Sequence, residues 1–418
     1  MSAIRITAAL VLFSCSRLVA QTVSETLDTL ITHKSYFQAK RLYTKESKTL
    51  GFADSLFYGA ILDNAFNKPA ASLDKIAVLG HSGKIDDDHA RYLLEIQHAD
   101  YARTGQYAEA AKCISTLLKK YNNQLSKEDK DDYSNSGKIW STLKSVPPQS
   151  ISILADVNIE MTKDKASLWT IPISSSGTGE RFIFDTGANI STVPRSTAER
   201  LKMKIYKAGI DVNSITGNIV KADLAVCPEF SIGDMIVRNA IFLVFPDEAL
   251  TIDEIDYKIA GILGFPVIEG FGEITVTKDG VLKIPQHASG NESPNLALDF
   301  LTPVAEIGNE YFTFDSGATT TILYPKWFEA HKEAVLSESQ LEDNLKYGGA
   351  GGAIERPGYY IVWKQELDGK LLELKDVMVF QKPLTENEKW FWGNIGQDVI
   401  RSFHSYTINF RSMKLSFN

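Results

Sequence analysis

The chain has 418 residues, more than one typical domain holds, and 44% of them are hydrophobic with 10% aromatic, so two or three packed cores are expected. A formal charge of −8 with no long basic block argues against nucleic acid and anionic lipid surfaces as partners. Three cysteines (Cys15, Cys113, Cys227) and seven scattered histidines give neither a disulfide framework nor a metal-ligand spacing, and no metal or organic cofactor is implied.

The N-terminus reads "MSAIRITAALVLFSCSRLVAQTVSE", with Arg5 ahead of an apolar run from Ile6 to Phe13. A membrane-spanning helix needs about 20 apolar residues, and this run is shorter. Residues 1–20 read as a secretory signal cut after Ala20. The rival reading takes "LFSC" as a lipobox in which Cys15 is lipidated, the one case in which a membrane becomes a partner. Both readings place the protein outside the cytoplasm, in the periplasm, on the cell surface or secreted.

Residues 24–145 read as an all-α domain. "SYFQAKRLY", "KPAASLDKIAVL" and "RYLLEIQHADYARTGQYAEAAKCISTLLKKY" carry apolar residues at three- and four-residue spacing. In "ARTGQYAEA", Gly105, Tyr107 and Ala110 stand where a helix pair turns and repacks, which resembles a tetratricopeptide-type hairpin. The echoes elsewhere are unevenly spaced, so an ordinary helical bundle is the alternative. Such a domain is expected to bind a partner or substrate, or to pack against the rest of the chain. The charged, turn-rich "LSKEDKDDYSNSGK" and the stiff Pro147–Pro148 pair place a boundary near 145–150, in a segment expected to pack as neither helix nor strand.

Beyond it the pattern becomes all-β: short stretches rich in Val, Ile, Phe and Tyr, separated by Gly, Asp and Asn turns. The elements occur twice in the same order, defining lobes at 150–285 and 295–418 joined by the polar "LKIPQHASGNESPNL". "FDTGA" (Phe184–Ala188) and "FDSGA" (Phe314–Ala318) lie 130 positions apart. Later, "AGILGFPVIEGFGEITV" aligns with "WGNIGQDVIRSFHSYTI" at an offset of 132, setting Gly264 against Gly396 and Thr275 against Thr407. A lone Asp-[Ser/Thr]-Gly is an ordinary β-turn. Two copies at the same point of a repeated lobe are a far stronger signal.

A two-fold related pair of such turns can bring Asp185 and Asp315 face to face. Like charges about 3 Å apart cannot both ionise readily, so the two carboxyls share one proton. The carboxylate can then take a proton from water while the acid hydrogen-bonds a carbonyl.

"FDTGA…ILG" and "FDSGA…NIG" resemble retropepsin-like aspartic proteases across residues 150–418. Retroviral members pair two identical lobes; here both lobes lie in one chain, as in pepsin-like enzymes. The resemblance implies a double-lobed acid-protease fold and an aspartic endopeptidase with Asp185 and Asp315 as catalytic pair. The substrate would be a peptide or protein lying extended in the cleft. Thr186 and Ser316 would cross the lobe interface, and Gly187 and Gly317 would leave room for the turns to meet. Ala188 and Ala318 stand where pepsin-like enzymes have Ser or Thr; without that hydroxyl donor the shared proton is held to higher pH, and the optimum is expected to be weakly acidic to near neutral. Glycine-bearing hairpins should cover the substrate: "NSITGN", with its tip near Gly217, and "KYGGAGGA", with Gly348 and Gly349. One departure stands out. The family has two apolar residues before the late glycine, whereas the second copy has Asn394–Ile395. The alternative function is a non-catalytic peptide-binding or scaffolding protein that retains the fold and binds a partner through the helical domain.

Overall fold

The computed structural model describes residues 22–83, 85–213, 219–290, 292–349, 352–383 and 385–418. The expected signal segment with Cys15, and Gly217, lie outside the described residues. Helices α1 (Val23–Thr32), α2 (Tyr36–Glu46), α3 (Phe52–Ala65), α4 (Pro69–Ser82), α5 (Asp87–Arg103), α6 (Tyr107–Lys120) and α7 (Lys127–Leu143) form the N-terminal region. Local chemistry sets their starts. A reciprocal Thr22–Glu25 capping box opens α1, Pro69 opens α4, and the Asp86 side chain accepts from His89 N at the head of α5. None of these helices is long and apolar enough to cross a membrane.

The charged stretch expected to resist packing is instead α7. Ser126 and Asp129 form a capping box there, and Ile139, Trp140 and Leu143 supply a narrow apolar face. Trp140 stacks on Tyr107 with ring centroids 5.7 Å apart. The proline pair is packed as well. Gly105, at φ 73°, turns α5 into α6, and a Cβ on it would lie 2.4 Å from the Pro148 Cβ.

The β-rich region begins at Ser150 and repeats one plan. In the first lobe the strand Thr178–Phe184 pairs in parallel with Ile262–Leu263, which pairs antiparallel with Ser191–Pro194. In the second, Glu310–Phe314 pairs in parallel with Gly393–Ile395, which pairs antiparallel with Ile322–Leu323. A further sheet joins the lobes at their base. Its central rung pairs Thr275 with Thr407, the residues the two copies align, and their hydroxyls lie 2.8 Å apart. Ile274 faces Ile408 and Val276 faces Tyr406, the pattern of a local two-fold axis through that rung.

The helical region is bonded to both lobes. Asn135 on α7 makes a two-point clamp on the first lobe's long hairpin, donating to Asp211 O (2.9 Å) and accepting from Asp211 N (3.1 Å). Beneath that clamp Ile139 and Leu143 pack with Ile210, Leu224 and Val226. At the other end Arg41 forms a fork with both oxygens of Glu306 at 2.9 Å, and Lys34 and Tyr36 both bind Asp299 in the second lobe. Cys113 and Cys227 are buried free thiols.

Candidate active site

Asp185 and Asp315 each follow the last residue of an inner strand, Phe184 or Phe314, both fully buried among aromatic and aliphatic side chains. The backbone enters each turn identically. Asp185 N donates to Leu263 O (3.1 Å) and Asp315 N to Ile395 O (3.0 Å). Within each turn two N–H groups converge on one carboxyl oxygen: Gly187 N (2.8 Å) and Ala188 N (3.1 Å) on Asp185 Oδ1, Gly317 N (2.8 Å) and Ala318 N (3.1 Å) on Asp315 Oδ1.

The turns interlock through their hydroxyls. Ser316 N donates to Thr186 Oγ1 and Thr186 N to Ser316 Oγ, both at 3.0 Å. Thr186 Oγ1 in turn donates to Phe314 O (3.4 Å), and Ser316 Oγ to Phe184 O (3.1 Å). Both side chains are buried, so water does not compete for these bonds. The glycines face the opposite aspartate. A Cβ on Gly187 would lie 2.5 Å from Asp315 Cγ, and one on Gly317 2.4 Å from Asp185 Cγ. Gly264 and Gly396 bring their strands equally close behind the turns, with no room for a Cβ against Ala188 O or Thr320 O.

Burial is the main cause that pushes both carboxyls above the ordinary carboxylate range, and Asp185 stands well above it. For Asp185 the charge of Asp315 adds to the rise, while the Gly187 and Ala188 N–H groups oppose it. For Asp315 the Gly317 and Ala318 N–H groups, Asp185 and Asn394 pull back down. Beside Asp315 lies a cavity of 190 Å³ whose lining includes Gly187, Thr313, Asn394, Tyr324, Phe391 and Asp299. Asp299 in that lining carries Lys34 and Tyr36 of the helical region. A larger hollow of 710 Å³, lined by Thr162, Arg181 and Tyr257 on the first lobe, contains neither aspartate. Among the described residues no group of three or more His, Cys, Asp or Glu side chains could hold a metal ion.

The structure thus brings together Asp185, Thr186, Gly187, Ala188, Asp315, Ser316, Gly317 and Ala318. Gly348 and Gly349 lie on a separate hairpin. These pair with Ala353 and Gly352 at the end of a hairpin on the edge of the second lobe's sheet, and none of the residues lining the Asp315 cavity comes from that hairpin. Asn394 was legible only as a departure from the repeat; its place against Asp315 was not.

A pseudo-two-fold pair of β lobes with an aspartate from each at their junction defines a double-lobed acid-protease architecture, here preceded by a helical region. A family model described as "Aspartyl protease" matches residues 171–267, the part of the first lobe that holds Asp185 and Gly264. The match and the fold support a protease-type function for this β-rich region. Among solved structures, the chain is similar to a retropepsin-like aspartic protease from Rickettsia conorii, at 20% identity and a TM-score of 0.24, over 31% of this chain and 99% of that one. It is also similar to Basic 7S globulin from soybean, at 11% identity and a TM-score of 0.37, over 65% of this chain and 95% of that one. No curated protein matches it.

Proposed function

We propose that the protein is an aspartic endopeptidase that hydrolyses peptide bonds with a water activated between Asp185 and Asp315. The observation that carries this reading is the reciprocal Thr186–Ser316 interlock, which fixes two carboxyls at one junction, where desolvation raises both. At working pH the pair holds one proton. The carboxylate accepts a proton from the water as its oxygen attacks the scissile carbonyl. The carboxylic acid donates to the carbonyl oxygen, giving a neutral tetrahedral diol. Return of a proton to the amide nitrogen and loss of the amine then break the C–N bond. No covalent acyl-enzyme is required.

The test is a random peptide library incubated with the purified full chain, with and without a peptide mimic carrying a central hydroxyl. Asp185→Asn and Asp315→Asn are each expected to remove cleavage by at least about 100-fold while leaving the fold intact, since general acid–base groups contribute roughly that much or more. Less than a tenfold loss in either variant would rule out a shared-proton pair.

A further inference from the structure

The two lobes differ at the rung directly behind each aspartate. Behind Asp185 the parallel rung is Ile183 against Ile262, both buried in an apolar cluster with Leu250 and Ile259. Behind Asp315 the same rung is Thr313 against Asn394. Thr313 Oγ1 donates to Asn394 Oδ1 at 2.6 Å, which fixes the amide oxygen on the strand side and leaves the amide N–H groups as donors elsewhere. Asn394 is 8% exposed and lines the same cavity as Asp315, and its side-chain amide acts as a donor toward that carboxyl that pulls its pKa down. Ile262 has no polar atom to offer Asp185.

We propose that Asn394 is a positioning residue that breaks the two-fold symmetry of the pair, holding Asp315 as the carboxylate that takes the proton from water and leaving the shared proton on Asp185 as the acid that faces the scissile carbonyl. This rests on the endopeptidase reading for its roles, though not for its asymmetry. The other groups around the pair do not make that distinction. The Gly317 and Ala318 N–H groups have equal counterparts in Gly187 and Ala188 at matching distances. Of the titratable groups facing the Asp315 cavity, Asp299 carries Lys34 and Tyr36, Glu388 lies 3.6 Å from Arg356, and Tyr324 completes the set. Asn394 alone among these adds a donor to one carboxyl that the other lacks.

The experiment replaces Asn394 with its first-lobe counterpart, Asn394→Ile, and loosens it separately with Thr313→Val. A hydrogen bond to the charged form lowers an acid's pKa. Losing it should move the acid limb of the kcat/KM profile upward by about one pH unit in Asn394→Ile and by less, in the same direction, in Thr313→Val. An acid limb that stays put or moves down in both variants overturns the proposal. In parallel, ¹³C-carboxyl NMR of the aspartate-labelled full chain follows the two carboxyls, identified by their loss in Asp185→Asn and Asp315→Asn. Asp315 should titrate below Asp185 in the wild type, and the gap should narrow in Asn394→Ile. A gap that narrows in a chain that cleaves nothing defeats the endopeptidase reading and leaves the asymmetry standing. Equal titration in a chain that cleaves peptides does the reverse. If Asn394→Ile does not fold, Thr313→Val carries both readouts.

Discussion

The two lobes keep one backbone plan and clothe it differently. Phe265 N donates to Ala188 O at 2.8 Å in one, Gln397 N to Ala318 O at 2.9 Å in the other. Gly264 N finds Ser191 Oγ at 2.9 Å, and Gly396 N finds Thr321 Oγ1 at 3.0 Å. Behind these shared bonds the first lobe is apolar: Ile183, Ile262, and Phe265 packed edge-on against Phe410. The second is polar. There Thr313 and Asn394 are bonded, Gln397 Nε2 donates to Ser316 O at 2.9 Å, and Asp398 accepts from Thr321 N at 2.8 Å and from its hydroxyl at 2.6 Å. The comparison teaches where the constraint lies. Two turns that must meet across a junction fix glycine, a hydroxyl and a carboxyl at matching positions. The layer behind needs only to be packed and satisfied, and it is free to make the two carboxyls unequal.

Breaking the shared part should have large and equal effects. Gly187→Ala and Gly317→Ala each place a Cβ far inside van der Waals contact with the opposite carboxyl carbon, at 2.5 and 2.4 Å. Each should therefore separate the aspartates and remove peptide cleavage to background in a steady-state assay, whichever lobe carries the change. Retention of near-wild-type rates in either would mean that the turns do not meet as described.

The interlock should cost stability in equal shares as well. Thr186→Val and Ser316→Ala each leave a buried N–H without its acceptor, a loss of about 1–3 kcal/mol in urea unfolding. Because the two hydroxyls form one network, the double variant should lose less than the sum of the singles. Strict additivity would contradict the interlock.

A smaller effect lies in the pH dependence of folding. Both aspartates have folded-state pKa values raised above the ordinary 3.8. Between 3.8 and the raised range the native state binds more protons than the unfolded chain, so this pair's contribution to stability falls as pH climbs through that window. Asp185→Asn keeps an acceptor for Gly187 and Ala188 N–H and removes the repulsion. It should therefore unfold at higher urea than wild type at pH about 7, and the difference should shrink below pH about 4. A difference that grows on acidification would reverse the assigned sign.

Much of this duplicated plan was readable in the chain. The two acidic turns, the late glycines and the Thr275–Thr407 match sit where a repeat places them, and an axis relating the copies follows from their pairing. The rest depends on contacts far apart in sequence. Asn394 could be read as a departure, but its bond to Thr313 depends on a parallel register set by the fold. The docking of the helices rests on pairs such as Lys34–Asp299 and Asn135–Asp211, which no local pattern announces. Helix α7 was missed because its polar residues outnumber a narrow apolar face; the Ser126-x-x-Asp129 capping box was the signal that could have found it. The glycines of "KYGGAGGA" suggested a cover for the cleft; Gly348 and Gly349 are the last rungs of an edge hairpin whose tip lies outside the described residues.

The proposed function requires an aspartate pair that shares one proton and hydrolyses peptides. The kcat/KM profile of purified full-length protein on a peptide substrate tests it most directly. With no hydroxyl at Ala188 or Ala318 to stabilise the carboxylates, and with burial raising both, the account predicts a bell with a weakly acidic to near-neutral optimum. The alkaline limb should move down in the Ala188→Ser, Ala318→Ser double variant. An optimum at about pH 2–3, the region where the pepsin pair titrates, or an alkaline limb that the added hydroxyls push upward, would contradict it.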